Sequence, residues 1–163
     1  MSGPIAAPMC QVDQIMAVMQ IAFDPAWREA WNRRQVEDSL AMPNTFALLA
    51  DEAGQVTSDP ADCRKMRAAG FVMTRHAPGE EELLLIAVRP EFRRRGIGEA
   101  LIRQLAQDAR ARGAERIFLE MRENNPAQGL YRRVGFEPIG RRKAYYLFSD
   151  GTRMDAITFA LAV

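Results

Sequence analysis

The chain has 163 residues, 48% of them hydrophobic, with 22 lysines and arginines against 21 aspartates and glutamates. That is the size and composition of one ordinary globular domain, large enough to bury about two-thirds of its unfolded surface. A net charge of +1 supplies no global field to recruit nucleic acid or a lipid surface. The two cysteines, Cys10 and Cys63, lie far apart without metal-type spacing, and His76 is the sole histidine, which leaves no multi-histidine metal site. No apolar run nears membrane-spanning length and no secretory signal is visible, so the expectation is a cytoplasmic protein that binds no metal.

Residues 1–8 read as a loose tail, with Met9 as a second candidate start and little room for a first strand within Pro4–Pro8. Val12, Ile15, Met16, Met19 and Phe23 fall on one face of a helix over 11–22, which Asp24-Pro25 breaks. A second helix is expected over 26–41, carrying Trp27, Trp31, Val36 and Leu40 and ended by Pro43-Asn44. Thr45–Ala50 reads as a buried strand, and the polar residues 55–67 as an irregular surface excursion. Strands over 69–75 and 82–89 flank the turn signal Pro78-Gly79, with His76 a solvated or structural imidazole near the end of the first.

The segment from Leu83 to Leu101 runs from a buried strand through the basic glycine loop Arg93-Arg94-Arg95-Gly96-Ile97-Gly98-Glu99 into a helix over 97–112. Glycines at 96 and 98 let the backbone approach a ligand closely, successive N–H groups can face anionic oxygens, and the helix start adds its dipole. The pattern is that of a cradle for a phosphate-bearing ligand. It is not a P-loop, because Glu99 stands where that motif needs lysine, nor a dinucleotide fingerprint, because Leu101 stands where the third glycine belongs. A strand over 116–121, a short helix over 126–134 stopped by Gly135, and a hairpin of 139–148 with 154–161 complete the chain. The elements amount to a single α/β (α+β) domain over 1–163, with a mixed sheet and helices on both faces.

Arg93-x-x-Gly96-x-Gly98 after Ile86-Ala87-Val88 resembles the acetyl-CoA signature of the GCN5-related N-acetyltransferase (GNAT) family. Asn124-x-x-Ala127-x-x-Leu130-Tyr131 with Gly135-Phe136 is similar to its later motif, and Leu119-Glu120-Met121-Arg122, Tyr145-Tyr146 and Asp155-Ala156 resemble its RimI-type branch. The resemblance is dense from residue 83 onward, one residue short between Glu120 and Asn124 and one long between Asp150 and Asp155. It implies a mostly antiparallel twisted sheet with two strands splayed around acetyl-CoA, whose pantetheine arm pairs with the backbone at Ile86, Ala87 and Val88. It implies coenzyme contacts from Arg93 to Glu99 and from Asn124, a general base at Glu120, and an acid at Tyr131 whose hydroxyl reaches the coenzyme sulfur.

Those residue types suit the chemistry. An amine arrives protonated, so acyl transfer needs a base, a polarised carbonyl and an acid for the departing thiolate. Strand alternation places Glu120 beside Phe118, and an apolar neighbour disfavours the charge of a carboxylate, which suits a base. The bland alternatives are a Glu120 paired with Arg122 or Arg142, and a Tyr131 that only fills the core. Trp27, Tyr145 and Tyr146 are candidate acceptor walls, with Trp31 in the core. Neither cysteine has a histidine placed to activate it, so direct transfer is expected. The RimI-type resemblance implies the N-terminal alanine of a ribosomal protein as acceptor. A small-molecule amine, a non-catalytic acetyl-CoA sensor, and a nucleic-acid module joining Arg93–Arg95 to Arg141–Lys143 are the alternatives.

Overall fold

A computed structural model describes residues 10–163; the loose tail and the doubtful first strand lie outside that range. Helix α1, Gln11–Ala22, follows the 3.6-residue apolar pattern. The single helix expected over 26–41 is instead a 3-10 turn at Pro25–Trp27 and a separate α2 at Arg33–Leu40. Two local devices divide it. The Asp24 carboxylate caps the turn through Ala26 N–H, and Arg28 then adopts a left-handed conformation; Asn32 and Gln35 form a reciprocal capping box that starts α2 afresh.

Strands β1 (Thr45–Ala50), β2 (Val56–Thr57), β3 (Gly70–Ala77), β4 (Glu80–Val88), β5 (Arg116–Arg122), β6 (Glu137–Leu147) and β7 (Arg153–Ala162) form one sheet in the order β2-β1-β3-β4-β5-β7-β6. Only β4 and β5 run parallel. Helix α1 and Val36 of α2 cover one face with Ile15, Met19, Leu49, Phe71 and Met73. Helices α4 (Ile97–Ala111) and α5 (Gln128–Val134) cover the other, where Leu101, Ile102 and Leu105 pack on Val72, Leu83, Ile117 and Phe159. Each such side chain contributes about 1.5–3 kcal/mol of transfer free energy.

Residues 55–67 are less irregular than their polarity suggests. Val56–Thr57 extends the sheet, Pro60–Cys63 makes a helical turn α3, and Cys63 is fully buried. Gln14 of α1 holds this segment down, donating to the carbonyls of Cys63 and Met66 and accepting from Ala68 N–H. A buried glutamine with its amide satisfied on both sides fixes a loop as firmly as a strand partner does. His76 is also tied, its Nδ1 3.1 Å from Oε2 of the fully buried Glu81, which Thr74 and Arg112 also meet.

Candidate active site

The cleft begins where β4 leaves β5. The two pair only at Glu80–Glu82 against Arg116–Phe118, after which no ladder bond joins them. Within β4 the register shifts, so that Met73 faces Leu85 while Thr74 faces Leu83, and Leu84 is the extra residue of a bulge. The bulge reverses which side chains face α4, from Leu83 before it to Ile86 and Val88 after it. Beyond it, Ile86 and Val88 pack on the α4-side core and Ala87 on the opposite one, leaving their main-chain edge toward β5. Across the gap Glu120 is exposed as a residue although its side chain is only 27% exposed, because its backbone lies on an open strand edge.

At the end of this gap lies the basic loop. Arg94 and Gly96 both have positive φ, at 62° and 81°, on either side of Arg95, an alternation that turns successive N–H groups inward. Gly96 caps α4, and the N–H groups of residues 94–99 meet no protein acceptor among the described residues. Six unanswered donors at the start of a 15-residue helix form an anion cradle. Ile97 is buried and the Glu99 side chain bonds Arg103, so both face the cradle only through the main chain.

Within this loop Arg93 is fixed by the protein: its guanidinium donates to the Val88 and Ala22 carbonyls, pinning the loop to β4 and to the end of α1. Arg94 and Arg95 remain on the rim, Arg95 over the Phe92 ring. Gly98 has a packing reason for its missing side chain as well: a Cβ there would stand 2.9 Å from Leu130 Cδ2, so its absence lets α5 close on α4.

Beside the cradle helix, α5, which follows β5, presents Tyr131, which is buried and edge-on to Phe136. Burial pushes its hydroxyl pKa well up, with Glu29 adding to the shift, so it stays protonated at neutral pH. No fully buried polar side-chain atom among the described residues lacks a partner, and the Tyr131 hydroxyl bonds to none of them. That hydroxyl therefore reaches accessible space. Glu120 pairs with Arg142 at 3.3 Å, one of the two bland alternatives. Arg122 has a different partner, Glu29, at 2.7 Å.

A model of the acetyltransferase (GNAT) family matches residues 14–136. The chain belongs to this family. Among curated GNAT relatives, the ribosomal protein bS18-alanine N-acetyltransferase of Escherichia coli K12 is 38% identical over 98 residues, a match spanning 60% of this chain and 66% of that protein, just short of two-thirds. The crystal structure of the Escherichia coli ribosomal-protein-S18-alanine N-acetyltransferase superposes with a TM-score of 0.71 at 27% identity, covering 96% of this chain and 91% of that one. Arabidopsis thaliana NAA60, solved in complex with acetyl-CoA, shares the fold at a TM-score of 0.64 and 19% identity, over 82% of this chain and 84% of that one.

In this GNAT chain the two segments named as candidate acceptor walls meet. Trp27 packs edge-on against Phe148 with centroids 5.1 Å apart, joining the 3-10 turn to the β6–β7 hairpin. Tyr145 and Tyr146 divide as strand neighbours do: Tyr145 is exposed beneath Arg142, while the hydroxyl of the half-buried Tyr146 is pushed up in pKa by burial and then by Glu120 and Glu29. Trp31 lies at the edge of the α1-side core. The Asn124 Oδ1 accepts from Arg122, and its amide nitrogen has no protein acceptor among the described residues. Arg141 pairs with Glu123 and Asp155, and Arg142 with Glu120, so carboxylates are interspersed with this basic run. Glu29, Arg122 and Phe148 were not among the sequence candidates. Glu29 lies 93 residues from Arg122, and no local pattern connects them.

Proposed function

We propose that this chain transfers the acetyl group of acetyl-CoA directly to a peptide α-amine, the N-terminal alanine of a ribosomal protein. One observation supports the chemistry: β4 and β5 part after Glu82 and Phe118, with a cradle of six free N–H groups following β4 and, following β5, a Tyr131 hydroxyl that has no protein partner among the described residues. The acceptor is supported by what the 38% identical Escherichia coli protein is named for.

The residues fit the coenzyme. The N–H groups of 94–99 suit a pyrophosphate, the main chain of Ile86–Val88 suits an extended amide arm as an added strand, and Gly96 keeps the loop open. Bound there, acetyl-CoA supplies an activated acyl group on a thiol leaving group. The chain's own residues do the rest. Glu120 takes the proton that the acceptor ammonium must lose, directly or through a water, and Tyr131 keeps its hydroxyl proton for the departing thiolate. Arg142 holds the Glu120 carboxylate, and the Trp27–Phe148 wall closes one side of the groove.

Thiol release from acetyl-CoA, followed across short peptides with polyamines and aminoglycosides alongside, tests the reading. Turnover on an alanine-initiated peptide that disappears when its α-amine is blocked supports it. Turnover on small amines alone would replace the acceptor, and coenzyme binding without turnover on any amine would replace the enzyme with a sensor.

A further inference from the structure

Arg122 closes β5 with its side chain only 6% exposed, and it engages three residues at once. Its Nε donates to Glu29 Oε1 at 2.7 Å, its Nη1 donates to Asn124 Oδ1 at 2.6 Å, and its guanidinium lies 4.1 Å from the Trp27 ring centroid. Burying such a pair costs desolvation that its attraction barely offsets, so stability alone is a poor reason for it. What the pair does achieve is placement. Glu29 sits in the linker between the 3-10 turn and α2, downstream of the left-handed Arg28, where the backbone alone would not hold one orientation.

The held carboxylate keeps one side free next to the arginine that lies over Trp27, the residue packed on Phe148 of the hairpin. Glu29 Oε2 has no protein donor among the described residues, and the side chain is 31% exposed. Its charge acts on the hydroxyls of both Tyr131 and Tyr146, and Glu120 acts on Tyr146 from its own strand. Glu29 and Glu120 each have their own arginine, Arg122 buried in the first pair and Arg142 exposed in the second. An amine acceptor arrives as a cation, and the unpaired oxygen of the Glu29 carboxylate is free to accept from it.

The geometry points to Glu29 as the residue that binds the acceptor's ammonium group, and to Arg122 as the positioning residue that sets its carboxylate in the groove. This rests on the acceptor being an amine that enters this groove, as proposed above.

The test measures binding as well as turnover. An alanine-initiated peptide and its N-acetylated form are titrated by calorimetry into enzyme saturated with coenzyme A, acetyl-CoA affinity is measured separately, and KM and kcat are determined for the free peptide. Glu29→Gln is expected to weaken free-peptide binding and raise its KM by about ten- to a hundredfold, the worth of a hydrogen bond to a charged group. Coenzyme affinity stays within about twofold. Arg122→Lys keeps the charge but not the fork and is expected to reproduce the Glu29→Gln effect, with the double variant little worse than either single one. Peptide KM within about twofold of wild type in Glu29→Gln overturns the assignment, and a normal KM in Arg122→Lys overturns its positioning role. Parallel losses of peptide affinity, coenzyme affinity and Tm in Arg122→Lys would mean that the pair is only structural. Wild-type enzyme that binds the free peptide no better than its blocked form overturns the inference; amine-selective binding without turnover supports it and overturns only the proposed reaction.

Discussion

Gly98, in the first turn of α4, and Leu130, one residue before Tyr131 in α5, meet so closely that a Cβ on the glycine would stand 2.9 Å from a Leu130 methyl. The cradle helix therefore abuts the helix that carries the proposed acid. Gly96, two residues earlier, has nothing within 4 Å of where its Cβ would be, but its φ of +81° is one that side chains resist.

The two glycines should respond differently. Gly98→Ala is expected to cost about 1 kcal/mol, because the clash is with the movable end of a leucine, and Leu130→Ala in the same chain should recover part of it. Gly96→Ala should cost about 1–2 kcal/mol through backbone strain that no neighbouring substitution relieves. Urea denaturation of the two singles and the Gly98/Leu130 double variant checks this; rescue of Gly96→Ala by Leu130→Ala would contradict it.

Tyr131→Phe should lower kcat by about ten- to a thousandfold with coenzyme affinity nearly intact, if the hydroxyl supplies the acid. Burial raises the folded-state pKa above the ordinary value of about 10. The neutral hydroxyl is thus favoured in the folded protein, and its contribution to stability is complete below about pH 10 and lost as pH rises toward the higher folded value. Wild type should lose stability across that alkaline window while Tyr131→Phe changes less, as denaturation at a series of alkaline pH values would show. An identical loss in both proteins would mean that the shift is absent.

Much of this was legible in the sequence, for identifiable reasons. Helix α4 could be read because Ile97, Leu101, Ile102 and Leu105 recur at helical spacing, and Gly96 because a phosphate cradle needs its backbone freedom. Leu83 to Ile86 is one continuous apolar run, so nothing in it shows that Leu84 is the bulged residue or that the faces exchange there. The break between Trp27 and Arg33 was readable in part: Asn32 and Gln35 have capping-box spacing, but the left-handed Arg28 has no signature. The Arg93 contacts and the Glu29–Arg122 pair were out of reach, since each depends on chain segments that meet only in the folded sheet.

Glu120 has two explanations that one comparison separates. As the general base, Glu120→Gln should lower kcat by about a hundred- to ten-thousandfold. As merely the partner of Arg142, it would do little, since exposed ion pairs contribute about 0–1 kcal/mol, and Arg142 is 62% exposed. Arg142→Gln should accordingly reduce kcat far less than Glu120→Gln. Equal, small effects from both substitutions would return Glu120 to the role of a surface ion-pair partner.

The β6–β7 hairpin carries its own acid-side dependence. Lys143, Ala144 and Tyr145 lie opposite the single residue Asp155, between the Arg142–Ala156 and Tyr146–Met154 pairs. Within this bulge Ala144 takes a φ of +52°. Asp155 holds it: one carboxylate oxygen accepts from Ala144 N–H at 2.8 Å and the other from Arg141 at 2.7 Å. These contacts, the backbone bond first, keep the Asp155 carboxyl below its ordinary value. Its contribution is therefore present above the unfolded value of about 3.9 and lost as pH falls through the lower folded one. Asp155→Asn should loosen the hairpin at neutral pH and raise the peptide KM more than the acetyl-CoA KM, and it should remove part of the stability lost on acidification. Ala144→Gly should leave the bulge in place and gain up to about 1 kcal/mol by relieving its positive φ. A destabilised Ala144→Gly, or an Asp155→Asn protein whose acid unfolding matches that of wild type, would show that the bulge is held by something other than this carboxylate.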